Sequence, residues 1–514
     1  RRVYKRKGRV LVSHMMRPYP RVASFRSASA LAQHLRDLGW PLPFDEEILT
    51  APASPLAQSL HIPWRGSTRR VGNRFAVQPM EGWDGEADGC PSELTRRRWL
   101  RFAASGAKLI WGGEAVAVLP EARANPNQLL MNSHTAGRIE SLREDLVEAH
   151  RQRFGRADDL VIGLQLTHSG RFSKPREKNR PEPLIAYHHP FLDAKFNLPP
   201  SQMLLSDAEV ARIGRAFGEA ARLAQEAGFD FVDIKHCHGY LGHEFLSAFE
   251  RPGPYGGSFE NRTRLLRELI AVVRDSAPAL EIGVRLSAYD TIPYMKDEVT
   301  GSGHPADSNG RVPYRWGFGV DQTDPIRPDL AETKALLQLL ITLGVRLVNI
   351  TASSPYYAPH LSRPALFPPC DGYLPPEDPL AGVARLQMAT RELKKSTPGI
   401  IFVSSGWTYL QNYLPHFAQA AVREGWTDFS GLGRMMLSYP ELPSDALERG
   451  HLDAKRICRT FSDCTNGPRN GMVSGCFPLD PFYKARPEAA DVKAIKLRLT
   501  PRPANAPAQE VEHA

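Results

Sequence analysis

Asp233, Lys235, His236, His238 and Tyr240, side chains able to carry or move a proton, fall within eight residues of the stretch FDFVDIKHCHGYLGHEFLS from Phe229 to Ser247. Phe229, Phe231, Val232 and Ile234 are strand formers, and Gly239 breaks the run before a helical start. Side chains alternate along a strand, so Phe231, Asp233 and Lys235 share one face and His236 takes the other. Lys235, His238 and Tyr240 therefore cluster where a strand ends. Polar groups of this kind cost free energy when buried without partners. That placement is typical of active sites in barrels of alternating strands and helices; a salt-bridged strand end with a surface histidine is the other reading.

The elements that must position this strand end recur along the chain. Strands are expected at Arg74–Val77, Lys108–Trp111, Leu160–Leu166, Phe229–Ile234, Glu281–Leu286, Arg346–Ile350, Ile400–Val403 and Thr427–Ser430. Amphipathic helical stretches such as 207–227 and 261–275 lie between them. This alternation implies parallel strands joined by right-handed crossovers, and eight units fit a closed (β/α)₈ barrel. A doubly wound sheet is the competing architecture, but no GxGxxG follows the first strand. Two long loops, 169–205 and 288–330, follow the third and fifth strands and are expected at the rim where a substrate enters, as lids or binding elements or else as a local subdomain or packing hairpin. Three regions are expected: 1–65, a basic tail, a short helix and a Pro-rich arm; 66–450, the barrel; and 451–514, an extension containing cysteines and ending in a disordered segment.

The totals narrow the function classes. The chain has 514 residues and a net charge of +9, and six of its first nine residues are Arg or Lys. That block reads as a solvated tail, since no nucleic-acid-binding signature accompanies it. No apolar run approaches the roughly 18 residues of a membrane span, and no signal-peptide pattern is visible. A cytoplasmic protein with no nucleic-acid or membrane partner is expected, and a homo-oligomer is left open.

Motifs in a fixed order sharpen this picture: NRFAVQPM at 73–80, GLQLTHSGR at 163–171, VDIKHCHGYLGHEFLS at 232–247, YGGSFENRTR at 255–264, GVRLS at 283–287, VSSG at 403–406 and GLGR at 431–434. In this the chain resembles the Old Yellow Enzyme family of FMN-dependent oxidoreductases, and most closely the branch of the 2,4-dienoyl-CoA reductases. The resemblance implies a single FMN-binding barrel with NAD(P)H as co-substrate. Ser405, Gly406, Gly433 and Arg434 correspond to its phosphate cradle, where backbone N–H groups and an arginine fork meet phosphate oxygens. Gln165 corresponds to the contact with the pyrimidine edge of the flavin and Arg285 to the group near N1 and O2. Pro79, Met80, Glu81 and Ala115 would lie beside the ring, Pro79, Met80 and Ala115 through backbone groups. The implied reaction is a hydride relay from NAD(P)H through FMN to an α,β-unsaturated carbonyl or thioester compound. Lys235 and His238 match the two carbonyl-binding positions and Tyr240 the proton donor. A flavin dehydrogenase or demethylase working in the oxidative direction is the alternative, as is an FMN electron-transfer protein.

Three departures from the family pattern stand out. Lys235 replaces the usual His; it either meets substrate with a full positive charge or pairs with Asp233. Arg285 likewise faces two readings, a flavin contact and a core salt bridge to Asp233. Glu81 stands where relatives place Thr or Cys, and is expected either to turn to a backbone partner or to disfavour a reduced flavin. Finally, the branch holds an iron–sulfur cluster on four thiolates, whereas only Cys458, Cys464 and Cys476 remain here, with Phe461 where another is expected. A three-iron cluster, a cluster with another ligand, a zinc site, and free thiols of a vestigial site all remain readings of that motif.

Overall fold

The structure, a computed structural model, describes residues 19–499. The basic block at 1–9 and the last fifteen residues, expected to be tails, lie outside the described residues.

Eight parallel strands close into a barrel: β1 (Phe75–Val77), β2 (Leu109–Ile110), β3 (Val161–Thr167), β4 (Phe231–His236), β5 (Glu281–Ser287), β6 (Leu347–Thr351), β7 (Ile401–Ser404) and β8 (Phe429–Leu432). Each pairs with the next, and β8 returns to β1 through Ser430 opposite Phe75. One main helix follows each strand: α1 (Glu93–Ala103), α2 (Ala136–Phe154), α3 (Asp207–Glu226), α4 (Arg264–Ser276), α5 (Ala331–Thr342), α6 (Pro379–Ser396), α7 (Leu414–Arg423) and α8 (Leu442–Arg449). The starts of α1 and α3 are set by capping boxes, Ser92 with Thr95 and Ser206 with Glu209, which satisfy N–H groups that the first turn leaves free.

Outward-facing Val232 and Ile234 of β4 join the large core beneath the helices. Inward-facing Phe231 packs instead with Val161, Trp111, Val403 and Phe429 inside the barrel. The base of that interior is closed by an antiparallel hairpin, Leu60–Trp64 with Ser67–Val71, whose Ile62 and Val71 enter the same cluster. This hairpin is absent from the sequence-based expectation, and the expected boundary at 65/66 falls in its turn. Its signal is weak because only alternate residues of a short plug strand are apolar. The interior leaves no room for side chains at some positions: a Cβ at Gly163 would lie 2.3 Å from the Phe231 ring.

Before the barrel, a helix at Ala28–Asp37 with Ser27 as its N-cap lies in the 1–65 region, where a short helix is expected. The arm that follows is pinned to α7 by Asp45, which pairs with Arg423 and accepts from Gln419. The segment after Gly450 folds back over the C-terminal rim. There, Lys178 donates to the carbonyl of Gly471 at 2.6 Å, Trp83 to Ser474 at 3.0 Å, and Arg97 pairs through both arms with Asp480.

Candidate active site

A cavity of about 730 Å³ opens at the C-terminal ends of the strands. Its floor is a layer of polar side chains directly above the apolar plug. Asp233 on β4 accepts from Gln165 of β3 at 2.6 Å and from the backbone N–H of Arg285 on β5 at 2.6 Å. Register explains this meeting, since Gln165 and Asp233 are paired across β3 and β4. Burial pushes the Asp233 carboxyl up to about 6. No ion pair joins Asp233 to Arg285 or to Lys235 among the described residues. The Arg285 guanidinium donates instead to the carbonyl of Pro79 at 3.1 Å, and its buried Nε has no hydrogen-bond partner. On the opposite side, Asn349 donates to Gln78 at 2.7 Å, and the Gln78 amide nitrogen lies 3.1 Å from Ser405 Oγ. This arrangement dictates Gly431, where a Cβ would come 1.9 Å from that nitrogen.

One wall carries the sequence-predicted catalytic residues. Lys235 enters the cavity from the inward face of β4, with Nζ 3.6 Å from the centre of the Tyr240 ring. Burial lowers its pKa, and the Glu81 charge opposes that shift. His238 sits in the left-handed region at φ +64, a conformation that costs a non-glycine residue about 1–3 kcal/mol. It is held there by Ser287 Oγ, which accepts its N–H at 3.0 Å, and by Thr351 Oγ1, 3.2 Å from Nε2. Burial, reinforced by Arg285 and Lys235, drives its pKa well down, so the imidazole is neutral at physiological pH. His236, by contrast, points away from the cavity and packs under the short helix Leu241–Leu246.

Tyr240 donates its hydroxyl proton to Glu81, and Tyr356 Oη lies 2.9 Å from Tyr240 Oη and 3.3 Å from the other Glu81 oxygen. Glu81 thus turns to neither a backbone partner nor open space, but bridges two phenols. Burial, followed by the Glu81 charge, pushes the Tyr240 pKa far up, so the phenol keeps its proton at neutral pH. Tyr356 stacks on Phe172 with ring centres 4.2 Å apart. The loop bearing Glu81 is itself braced by a buried cluster in which Arg98 binds Asp84 and Glu114.

Of the residues expected to line a flavin, Pro79, Met80, Glu81, Ala115, Gln165, Arg285, Ser405, Gly406, Gly433 and Arg434 all border the cavity. The Ala115 N–H donates to the Met80 carbonyl at 3.0 Å and the Ala115 carbonyl accepts from Gln128, so scaffold hydrogen bonds fix both backbones beside the cavity. Sequence reasoning missed Tyr356 and Arg363 on the loop after β6, Phe172 and Lys174 on the loop after β3, and Arg469 in the C-terminal segment. The first two follow a predicted strand end, a position that could have flagged them; nothing in the local sequence marks Arg469. Loop 288–330, expected at the entrance, contributes no residue to the cavity wall among those described. Its Asp290 instead accepts from Tyr357 and Ser353 beneath the β6 loop.

Cys464 also borders the cavity, whereas Cys458 and Cys476 are buried behind it. The three sulfurs do not gather within 4.8 Å of one another, the proximity that a single zinc ion demands. Burial pushes the Cys458 thiol up to about 11. Phe461 packs on Phe367 with ring centres 5.3 Å apart.

Residues 63–305 match the model of the NADH:flavin oxidoreductase / NADH oxidase family. That stretch, a little under half of the chain, is similar to this family. The chain is 33% identical over 204 residues to NADH:flavin oxidoreductase FG08077 of Gibberella zeae, covering 36% of this chain and 47% of that one. It is 30% identical over 240 residues to NADPH dehydrogenase of Bacillus velezensis, covering 46% and 65%. The matched part thus spans less than two thirds of either relative. An old yellow enzyme homologue from Zymomonas mobilis shares the fold, with a TM-score of 0.51 and 19% identity over 77% of this chain and 94% of that one. No helix among the described residues is long and apolar enough to cross a membrane.

The cavity fits the FMN that this family implies. Arg434 Nη1 and the Nε and Nη2 of Arg363 are buried without hydrogen-bond partners. Burial and the neighbouring charge of Arg434 lower the Arg363 pKa. Gly406 takes φ +88, and at Gly433 a Cβ would find only Gln78 within 4 Å, so bare backbone faces the cavity beside those arginines. These groups would hold a phosphate. Arg285 and Gln165, fixed by Asp233, would meet the polar edge of the ring.

Proposed function

We propose that this protein is an FMN-dependent oxidoreductase of the ene-reductase type, which uses NAD(P)H to reduce the activated C=C bond of an α,β-unsaturated carbonyl or thioester compound. The observation that carries the reading is the convergence of Lys235, His238 and Tyr240 on one wall of the cavity whose floor is the Gln165–Asp233–Arg285 set. Bound FMN supplies hydride transfer between a nicotinamide and the alkene.

The chain's residues supply the rest. Lys235 and His238 donate to the substrate carbonyl oxygen, which gains negative charge as hydride reaches the β-carbon. Donors already in place when that charge develops stabilise it without reorganisation. Lys235 brings a full charge, while the neutral His238 brings a single N–H set by its Thr351 partner. Tyr240 delivers a proton to the α-carbon. Tyr356, hydrogen-bonded to Tyr240, lies on the path by which that proton is replaced. The apolar Phe172, Phe196 and Leu198 exclude water from the same wall.

The test is direct. Anaerobic NADH or NADPH should bleach the yellow protein, and 2-cyclohexenone, a maleimide or an enoyl thioester should restore the colour at a rate matching turnover. Bleaching with no reoxidation by any of these would overturn the reading. One observation favours a second reading in the oxidative direction: Glu81 already draws on the Tyr240 proton, as a base would when a proton leaves a saturated substrate. Under that reading saturated ketones or amines, with no nicotinamide present, would bleach the flavin.

A further inference from the structure

Outside the residues assigned above, two more cations border the cavity: Lys174, from the loop after β3, and Arg469, from the C-terminal segment. Arg469 is anchored. It pairs with Asp371, donates to the Pro355 carbonyl at 3.3 Å, and lies 5.4 Å from the centre of the Tyr356 ring. Lys174 is half-buried, and its ammonium has no hydrogen-bond or ion-pair partner among the described residues. Burial lowers its pKa and the Arg469 charge adds to that, against the opposing pull of Asp371 and Glu81.

The balance of charge across the cavity is informative. Among the described residues, its only acidic wall groups are Glu81 and Asp371. Glu81 is engaged by two phenols and Asp371 by Arg469. Of the wall arginines, Arg98 is neutralised by Asp84 and Glu114, and Arg171 by Asp193 and Glu244. Arg363 and Arg434 together balance one phosphate, and Arg285 and Lys235, neither of them ion-paired among the described residues, are assigned above to the ring edge and the substrate carbonyl. Lys174 is thus left over at the outer end, a few residues along the chain from Phe172, which supports Tyr356. Desolvating an ammonium without a counter-charge is unfavourable, and an anion arriving with the substrate would remove that penalty.

We propose that the outer chamber, formed by Lys174 and Arg469, recognises a carboxylate carried by the substrate away from its reacting C=C bond. The substrate class is then an anionic enone or enoyl compound: its carbonyl meets Lys235 and His238, and its carboxylate meets Lys174 and Arg469. This rests on the reductase reading for the identity of the reacting group, but not for the anion site itself.

The two can be tested separately. Calorimetric titration of the holoenzyme with 6-oxoheptanoate and with its methyl ester needs no turnover. The acid is expected to bind about tenfold tighter than the ester, Lys174→Ala and Arg469→Gln each to abolish that preference, and Lys174→Arg to keep it. Steady-state reduction of 6-oxohept-4-enoate against its methyl ester should show the same preference in KM rather than kcat. Equal binding of acid and ester by the unaltered protein would overturn the proposal. So would variants that weaken NADPH binding while leaving the acid-to-ester ratio unchanged, since the cations would then serve the dinucleotide phosphates. If the acid binds with the expected pattern yet is not reduced, the anion site stands and the reductase reading falls. If enones are reduced with no preference for the acid, the reductase reading stands and the anion site falls.

Discussion

The two ends of the barrel interior are built from the same strands and obey opposite rules. At the base, Phe231, Val161 and Phe429 close on Ile62 and Val71 of the plug in an apolar cluster. Two or more residues further along the same strands, Gln165, Asp233, Lys235 and Arg285 face the same interior, and each is held by register, by neighbouring backbone or by another polar group. The base is stabilised by removal of apolar surface from water. The rim stores charged and polar groups that burial penalises, with pKa values displaced in the directions that burial dictates. Stability is therefore invested at one end and chemistry placed at the other, which is why side chains in one β4 face can be a plug contact at Phe231 and a proposed substrate contact at Lys235.

That contrast can be broken from either end. Replacing Tyr240 with Phe is expected to slow reoxidation of the reduced protein by enones roughly 100- to 10,000-fold, with bleaching by NADPH retained, as followed by anaerobic stopped-flow absorbance. At the base, Ile62→Ala should cost about 2–5 kcal/mol in denaturant unfolding and leave kcat nearly unchanged. If Ile62→Ala altered kcat as much as stability, the two ends would not be separable.

The buried carboxylate between them gives a pH test. The folded protein holds the Asp233 proton with a pKa of about 6, against an ordinary value of 3.8. Because the folded value is raised, the contribution of Asp233 to stability is fully present below about pH 4 and is lost as pH rises to about 6. About two units correspond to about 2–3 kcal/mol. Unfolding free energies of the flavin-free protein at pH 4 and pH 7 should therefore differ between the unaltered chain and Asp233→Asn by about that amount, with the variant gaining relative stability at the higher pH. The smallest expected effect belongs to Glu81→Gln. Removing its charge should lower the alkaline pKa of enone reduction, since that charge helps to hold the Tyr240 proton, and alter the rate at neutral pH by less than about tenfold.

Much of the barrel was legible in the sequence because apolar strand runs and amphipathic helices alternate in it. All eight expected strands are present, each displaced by two residues or fewer. The plug hairpin was not legible, because its two strands are short, largely polar and apolar only where they meet the barrel base. The cavity floor was legible through motif residues at strand ends. Glu81 was singled out, but its two phenolic partners were not, since Tyr240 and Tyr356 lie 159 and 275 residues away along the chain.

By itself, then, the sequence determined the barrel and placed Lys235, His238 and Tyr240 at the end of the fourth strand, because strand periodicity is local and fixes which side chains share a face. Only the tertiary structure decided what those groups meet. It paired Asp233 with Gln165 and the Arg285 backbone rather than with Lys235, and tied Tyr240 to Glu81. It also brought Arg469 from the C-terminal segment onto the cavity wall. Such partners depend on inter-strand register and on chain return, which no local pattern encodes.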